Sequence, residues 1–264
     1  MAMMSAIVEG TELISRRPVA ELQPYLGCFW ALVHEPGTCV QTIPDASTYL
    51  VIELSEEAAP RCLIAGPRLR SVRSAPTHRS DVLGVRLLPG VAFLLTGAPV
   101  DQLVGRREPL AKFLGEGAGQ LATQMAEANS NSARFDVLES FLLERLPARR
   151  LDSRVELALH LIERSAGGAP VSKVAKQCGV SCRQLERLLR VWVGVTPKRL
   201  ARIARFQSVL ARAGKAPAME WTHVAAEQNY ADQAHMIHEF SGFTGASPTR
   251  FPLKSNGSQK ANCE

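Results

Sequence analysis

The chain has 264 residues, of which 46% are hydrophobic and 21% charged, a composition that supports a buried core and excludes global disorder. At roughly 100–200 residues per domain it holds one large or two ordinary domains. Its net charge of +6 is unevenly placed: residues 1–150 carry 15 Lys+Arg against 16 Asp+Glu, and residues 151–264 carry 16 against 9, so the basic excess lies wholly in the second part, as a polyanionic partner would require.

The first ten residues lack the apolar core of a signal peptide, and Glu9 and Glu12 interrupt the stretch. Runs rich in β-formers follow at 49–54, 62–65 and 82–88. Turn residues separate them: Glu35-Pro36-Gly37, Pro44-Asp45, Gly66-Pro67 and Pro89-Gly90. This pattern predicts a small sheet or barrel. The most apolar long stretch, 82–104, contains Arg86, Pro89, Pro99 and Asp101, which makes it a poor membrane span. The protein therefore reads as soluble and cytoplasmic.

From Val91 onward the pattern turns helical. Helices are predicted over 111–114, 121–127 and 135–146, the last with Val137, Leu138, Phe141, Leu142 and Leu146 on one side. Residues 129–132 read as a loop and 147–151 as a linker. Beyond it, Asp152 or Ser153 caps a helix over 155–164, Gly167-Gly168 stops it, and Pro170 opens the next. The expected fold class is α+β: a β-rich domain over 1–150 ending in helices, an all-α domain over 151–254, and a polar, disordered tail over 255–264.

The six cysteines, Cys28, Cys39, Cys62, Cys178, Cys182 and Cys263, form no C-x-x-C pair and have no His partner at finger spacing. They read as reduced thiols, and no metal or cofactor is expected. Cys178 falls where a buried apolar group belongs, and Cys182 at an exposed helix start. Trp30 and Trp192 read as core or interface aromatics, and His34 and His78 either bind something in the N-terminal domain or are structural residues.

A repeat lies within 171–251. Val174-Ala175 recurs as Val224-Ala225, and Gly194-Val-Thr-Pro-Lys-Arg-Leu200 recurs as Gly245-Ala-Ser-Pro-Thr-Arg-Phe251. The second pair is one residue further apart, an insertion that fits a turn. Each copy has helix-turn-helix spacing. In the first, 172–177 forms a short helix whose small Ala175 lets the next helix cross closely. Gly179 suits the left-handed turn, Ser181 caps, and Leu185, Leu188 and Leu189 face inward. In the second, Ala225, Asn229 and Asp232 take these places, with Met236, Ile237 and Phe240 inward. Between the copies, Pro197 opens a helix over 197–212, on the order of 24 Å long at 1.5 Å per residue. Such a rod would hold two recognition helices apart along a duplex whose successive major-groove faces lie roughly 34 Å apart.

On these residues, 154–251 resembles the DNA-binding domain of the AraC/XylS family of bacterial transcription regulators. The matching stretches are Val174-Ala-Lys-Gln-Cys-Gly-Val-Ser-Cys-Arg-Gln-Leu-Glu-Arg-Leu189, Gly194-Val-Thr-Pro-Lys-Arg199, Ala231-Asp-Gln-Ala-His-Met-Ile-His-Glu-Phe240 and 245–251. The resemblance implies a seven-helix domain reading two major-groove segments. Position by position, the first recognition helix presents Arg183, Glu186 and Arg187, flanked by Ser181, Gln184 and Arg190. The second presents Gln233, His235 and His238 after Asp232. Arg183 and Arg187 suit guanine and Gln233 suits adenine. Glu186 either accepts from cytosine or pairs with Arg183 or Arg190. Lys198, Arg199 and Arg202 either hold phosphates or are solvated. Two positions depart from the family: Asn229 replaces the usual Gly, and His238 the usual Arg. With His238 in place of Arg, binding by the second unit is expected to be weaker or pH-sensitive.

Less specifically, Pro18-Val-Ala-Glu-Leu-Gln-Pro-Tyr25 with Phe29-Trp30, Ile43-Pro-Asp45, Gly66-Pro67 and Leu88-Pro-Gly90 resemble a group of β-rich sensor domains attached to such regulators. The implied function is sequence-specific double-stranded DNA binding, with activation of transcription alongside RNA polymerase. A small-molecule effector would bind the N-terminal domain, and the protein would act as a monomer or homodimer. The second reading confines the N-terminal domain to dimerisation or protein contact. Catalysis is not expected. The clustered cysteines of methyl-accepting repair proteins are missing, as are a Gly-rich phosphate loop, a G-x-S-x-G elbow and an H-E-x-x-H helix.

Overall fold

The apolar runs of the first half pair into two antiparallel sheets. In the computed structural model, which describes residues 6–8, 13–37, 39–55, 58–146, 148–213 and 221–251, the strands are β1 (Ala6–Val8), β2 (Leu13–Arg16), β3 (Leu26–His34), β4 (Val40–Thr42), β5 (Thr48–Leu54), β6 (Arg61–Ala65), β7 (Val72–Ser74), β8 (Ser80–Leu87) and β9 (Arg107–Pro109). The larger sheet runs β2-β3-β8-β5-β6-β9 and the smaller β1-β4-β7. All pairings are antiparallel, with Val85 of β8 opposite both Phe29 and Leu50.

Alternation along the strands sends Phe29, Leu50, Ile64, Leu83 and Val85 to one face. There they meet Leu121 and Met125 of α3 (Glu116–Glu127) and Phe135 and Leu138 of α4 (Asn131–Leu143). Burying each such side chain contributes about 1.5–3 kcal/mol. The other face carries Trp30, Leu32, Val51, Leu63 and Val82, which pack with Val40 of the smaller sheet. Gly84 allows this close stacking: a Cβ there would lie 2.2 Å from the Leu50 carbonyl oxygen and 2.9 Å from Trp30.

Two elements differ from the sequence expectation. α3 begins at Glu116 rather than 121, because Gly117 and Gly119 dilute its apolar period. Residues 131 and 132 belong to α4 rather than a loop, since Ser130 caps that helix by accepting from the Ala133 amide at 3.2 Å. The remaining helices of the N-terminal half are α1 (Val91–Thr96) and α2 (Ala111–Leu114), with 3-10 turns at Ala20–Leu22 and Val100–Leu103.

The C-terminal half is helical: α5 (Ser153–Arg164), α6 (Val171–Gln177), α7 (Cys182–Val193), α8 (Pro197–Ala213), α9 (Trp221–Glu227) and α10 (Gln233–Thr244). The described residues end on a closing turn, in which the Arg250 and Phe251 amides both donate to the Ser247 carbonyl. Phe206 of α8 centres the core, with its ring 5.3 Å from Phe240 and 4.8 Å from Phe243. Residues 252–264, which include the expected tail, and 214–220 lie outside the described residues.

The two halves interlock. The N-terminal half places Ile43, Ala46 and Leu69 in the helical core. Ala46 is 2% exposed and holds a left-handed backbone with φ of 58°, a conformation disfavoured for alanine. The expected linker is pinned rather than free. The Tyr25 hydroxyl donates to the Arg149 carbonyl at 2.9 Å, and Leu151 packs under Gly90.

Candidate nucleic-acid interface

The repeat folds into two equivalent units. In the first, α6 turns sharply into α7 at Gly179, whose φ is 67°. The Val180 amide then closes the turn by donating to the Ala175 carbonyl at 3.1 Å. In the second, α9 turns into α10 at Asn229 with φ of 58°. There the Tyr230 amide donates to the Ala225 carbonyl at 3.0 Å. Asn therefore does the conformational work of Gly in the second copy, as its short polar side chain permits.

Each second helix starts on a capping residue. Ser181 accepts from the Gln184 amide at 3.2 Å while its own amide donates to Gln184 Oε1 at 2.9 Å. This reciprocal pair satisfies two otherwise orphaned donors. Asp232 accepts from the His235 amide at 2.7 Å. Ser181, Gln184 and Asp232 thus fix where the two helices begin.

Burial of Leu185, Leu189 and Val193 leaves the opposite side of α7 to solvent. Arg183 and Arg187 are exposed there, and neither has a hydrogen-bond or ion-pair partner among the described residues. Glu186, one turn along, accepts from Arg190 Nη2 at 2.8 Å. Of the two expectations for Glu186, the structure shows the pairing with Arg190. Two unpaired guanidiniums one turn apart present planar donor forks suited to bidentate acceptors.

On α10 the corresponding residues are Gln233, His235 and His238. Gln233 Oε1 accepts from the Thr222 hydroxyl at 2.8 Å. His235 meets the Tyr230 ring edge-on, with centroids 5.4 Å apart. His238 is exposed.

A buried carboxylate, which the sequence reading did not single out, fixes α10 against α8. Glu239 is 4% exposed. It accepts from Arg202 Nε at 2.6 Å and from the Tyr230 hydroxyl at 3.1 Å, and Arg205 lies 3.8 Å away. Burial, reinforced by Glu239, raises the pKa of the Tyr230 hydroxyl, so it remains a donor. The signal in the sequence was a Glu in register with Met236, Phe240 and Phe243 on the buried side of α10.

Arg202 is thereby removed from the phosphate-binding candidates. Arg199 is removed as well, since its Nη2 donates to the Leu69 carbonyl at 2.7 Å and its guanidinium lies 5.1 Å above the Phe243 ring. Both turn inward because carbonyl and carboxylate acceptors from distant segments face them. Lys198 remains exposed.

Among the described residues, no group of three His, Cys, Asp or Glu side chains could hold a metal ion, and no helix is long and apolar enough to cross a membrane. The described cysteines are free thiols, with Cys178 buried and Cys182 exposed.

Residues 174–252 match the family described as Helix-turn-helix domain, and residues 15–109 match a Domain of unknown function (DUF6597). No curated protein matches the chain. Among solved structures, the chain is similar to a transcriptional regulator (AraC-type DNA-binding domain-containing proteins) from Chromobacterium violaceum, with 18% identity and a TM-score of 0.37 over 40% of this chain and 96% of that one. It is also similar to ToxT from Vibrio cholerae O395, with 9% identity and a TM-score of 0.42 over 93% of this chain and 96% of that one. A further similarity is to ToxT from the same strain bound to (E)-4-(8-methylnaphthalen-1-yl)but-3-enoic acid, with 10% identity and a TM-score of 0.44 over 95% of this chain and 100% of that one.

Proposed function

We propose that this chain, which carries an AraC-type helix-turn-helix domain at its C terminus and a DUF6597 domain at its N terminus, is a sequence-specific, double-stranded DNA-binding transcription regulator. The observation that carries this reading is the exposed, unpartnered pair Arg183 and Arg187 on a capped helix, in a unit that recurs around α10. In the proposal these two arginines read guanine in one major-groove segment. Gln233, His235 and His238 address a second segment. Ser181, Gln184 and Asp232 set the helix ends against the backbone, the Glu186–Arg190 pair flanks the first site, and Lys198 meets a phosphate. Contact with RNA polymerase, activation of transcription and a cytoplasmic location belong to the same proposal, on the family resemblance.

Regulation by a small molecule in the N-terminal domain is the second part of the proposal. It is supported by two donors on the face between the sheets. Trp30 Nε1 and Arg86 Nη1 are buried and have no partner among the described residues, although Arg86 also pairs with Asp45 at 2.9 Å. Buried donors of this kind are where a polar ligand would be recognised. The Pro44–Asp45–Ala46 loop that Arg86 holds is also held by Gln207 of α8, which donates to the Pro44 carbonyl. A change at Arg86 would therefore reach the helix between the two units.

Fluorescence anisotropy with a duplex fragment tests the DNA-binding reading. Affinity is expected to fall linearly on a log–log salt plot with a slope of about −0.9 per phosphate contact. A salt-independent or undetectable interaction would reject it.

A further inference from the structure

A crevice with a volume of about 670 Å³ lies between the two halves. One wall comes from the segment joining β6 to β7 and from the residues around 101–105. The other is the end of α7 and the start of α8. Its charge is one-sided. Arg68, Arg70, Arg190 and Arg199 line it, against the single carboxylate of Asp101.

Only part of this charge is neutralised by the protein. Glu186 pairs with Arg190 at 2.8 Å. Arg199 makes its hydrogen bond to an uncharged carbonyl, and its buried Nε has no partner among the described residues. Glu239 acts on Arg199 only at a distance, being engaged by Arg202. Arg68 and Arg70 have no hydrogen-bond or ion-pair partner among the described residues. Burial, and then repulsion from Arg202 and Arg70, lowers the pKa of Arg199; burial, and then repulsion from Arg107, lowers that of Arg68. Charges of one sign gathered in one crevice are unfavourable unless a counter-charge joins them. The start of α8 adds the positive end of a 17-residue helix at Pro197.

We propose that this crevice binds a small, multiply charged oxyanion of the phosphate type. Guanidiniums from both halves would hold it, Arg68 and Arg70 from one side and Arg190 from the other, while Arg199, held by the Leu69 carbonyl, adds its charge. Three arginines without a carboxylate partner, set against one carboxylate, match a ligand with at least two negative charges. The planar forks of arginine suit phosphate oxygens. The volume suits a small ligand lined by both halves, and the proposal commits to one free in solution rather than a phosphate of the duplex backbone. Binding itself requires nothing of the DNA reading. Its consequence rests on that reading: an anion held between Arg70 and Arg190 would tie the N-terminal domain to the end of the first recognition helix.

Thermal unfolding of the full chain in pyrophosphate, at constant ionic strength, tests this. A saturable rise of several degrees is expected for the wild type, and little change in acetate. Arg70→Gln removes an exposed, unpartnered side chain that repels Arg199, and should not lower the unliganded Tm while abolishing the rise. Arg17→Gln, an exposed arginine outside the crevice, should retain it. No rise in the wild type, or an equal rise in Arg70→Gln, would overturn the proposal. A second arm separates the other source of the same chemistry. If the duplex backbone were the anion, Arg70→Gln would lower the salt slope of DNA binding by about one, and pyrophosphate would compete with DNA. Either result would overturn a small-molecule site, whereas an unchanged slope supports it. Failure of DNA binding altogether would leave the thermal result standing on its own.

Discussion

The ring of Phe93 on α1 lies 4.4 Å from the ring of Trp192, near the end of α7. Two residues later the contact continues: a Cβ on Gly194 would sit 3.0 Å from the Val100 carbonyl oxygen. The N-terminal domain is therefore seated directly on the helix that carries Arg183 and Arg187.

Trp192→Ala should loosen this seat. Trp192 is only half-buried, so the loss falls below that of a fully buried tryptophan, at about 2 kcal/mol. Urea unfolding followed in both halves should show a lower midpoint and, with the halves less tied, transitions that no longer coincide. Coincident transitions at the wild-type midpoint would show that the contact carries no coupling.

Arg187→Ala, and Arg183→Ala separately, should each reduce discrimination between a specific and a scrambled duplex by about 1–3 kcal/mol. Both side chains are exposed and unpartnered, so the melting temperature should stay at the wild-type value. Competition anisotropy with paired duplexes measures the first and thermal unfolding the second.

Glu239→Gln should destabilise the chain by about 2–3 kcal/mol, because Arg202 loses a buried counter-charge but remains partly exposed to water. The same variant should weaken DNA binding more than its stability loss explains, since α10 is then less firmly held to α8. Chemical denaturation and duplex titration, done together, distinguish the two effects.

Stability should fall in alkali. Burial pushes the Cys62 thiol from an ordinary value of 9.0 up to about 11. Above pH 9 the unfolded chain releases this proton while the folded chain retains it, so stability that is full below pH 9 is lost as pH rises toward 11. Tyr230, also raised by burial, acts in the same direction from about its ordinary value of 10.0 upward. Cys62→Val should flatten the decline between pH 9 and pH 10 in denaturation experiments. An unchanged slope there would assign the decline to other groups.

The helix-turn-helix units were legible in the sequence because their requirements are local. Ala175, Gly179 and Ser181, and their counterparts Ala225, Asn229 and Asp232, act within one turn of the chain. The same holds for β5, β6 and β8, whose ends are marked by turn residues. β3 was missed because Phe29, Trp30, Ala31 and Leu32 are all buried, and a strand covered on both faces shows no alternation. The roles of Arg199 and Arg202 were also invisible: the Leu69 carbonyl is 130 positions from Arg199, and Glu239 is 37 from Arg202. A run of basic residues on a helix has no local mark of what will face it. The insertion of Ala46 into the helical core is hidden for the same reason, since a left-handed alanine is a product of tertiary packing.

Selection from a randomised duplex pool, with the wild type and with the Arg183→Ala, Arg187→Ala double variant, decides whether the chain reads duplex DNA with two unequal units. The wild type should enrich two sequence elements about one helical turn apart, roughly 34 Å, and the double variant should lose one of them and keep a weaker signal at the other. A wild-type pool with no enriched sequence, or the same pair of elements enriched without the two arginines, would contradict the account.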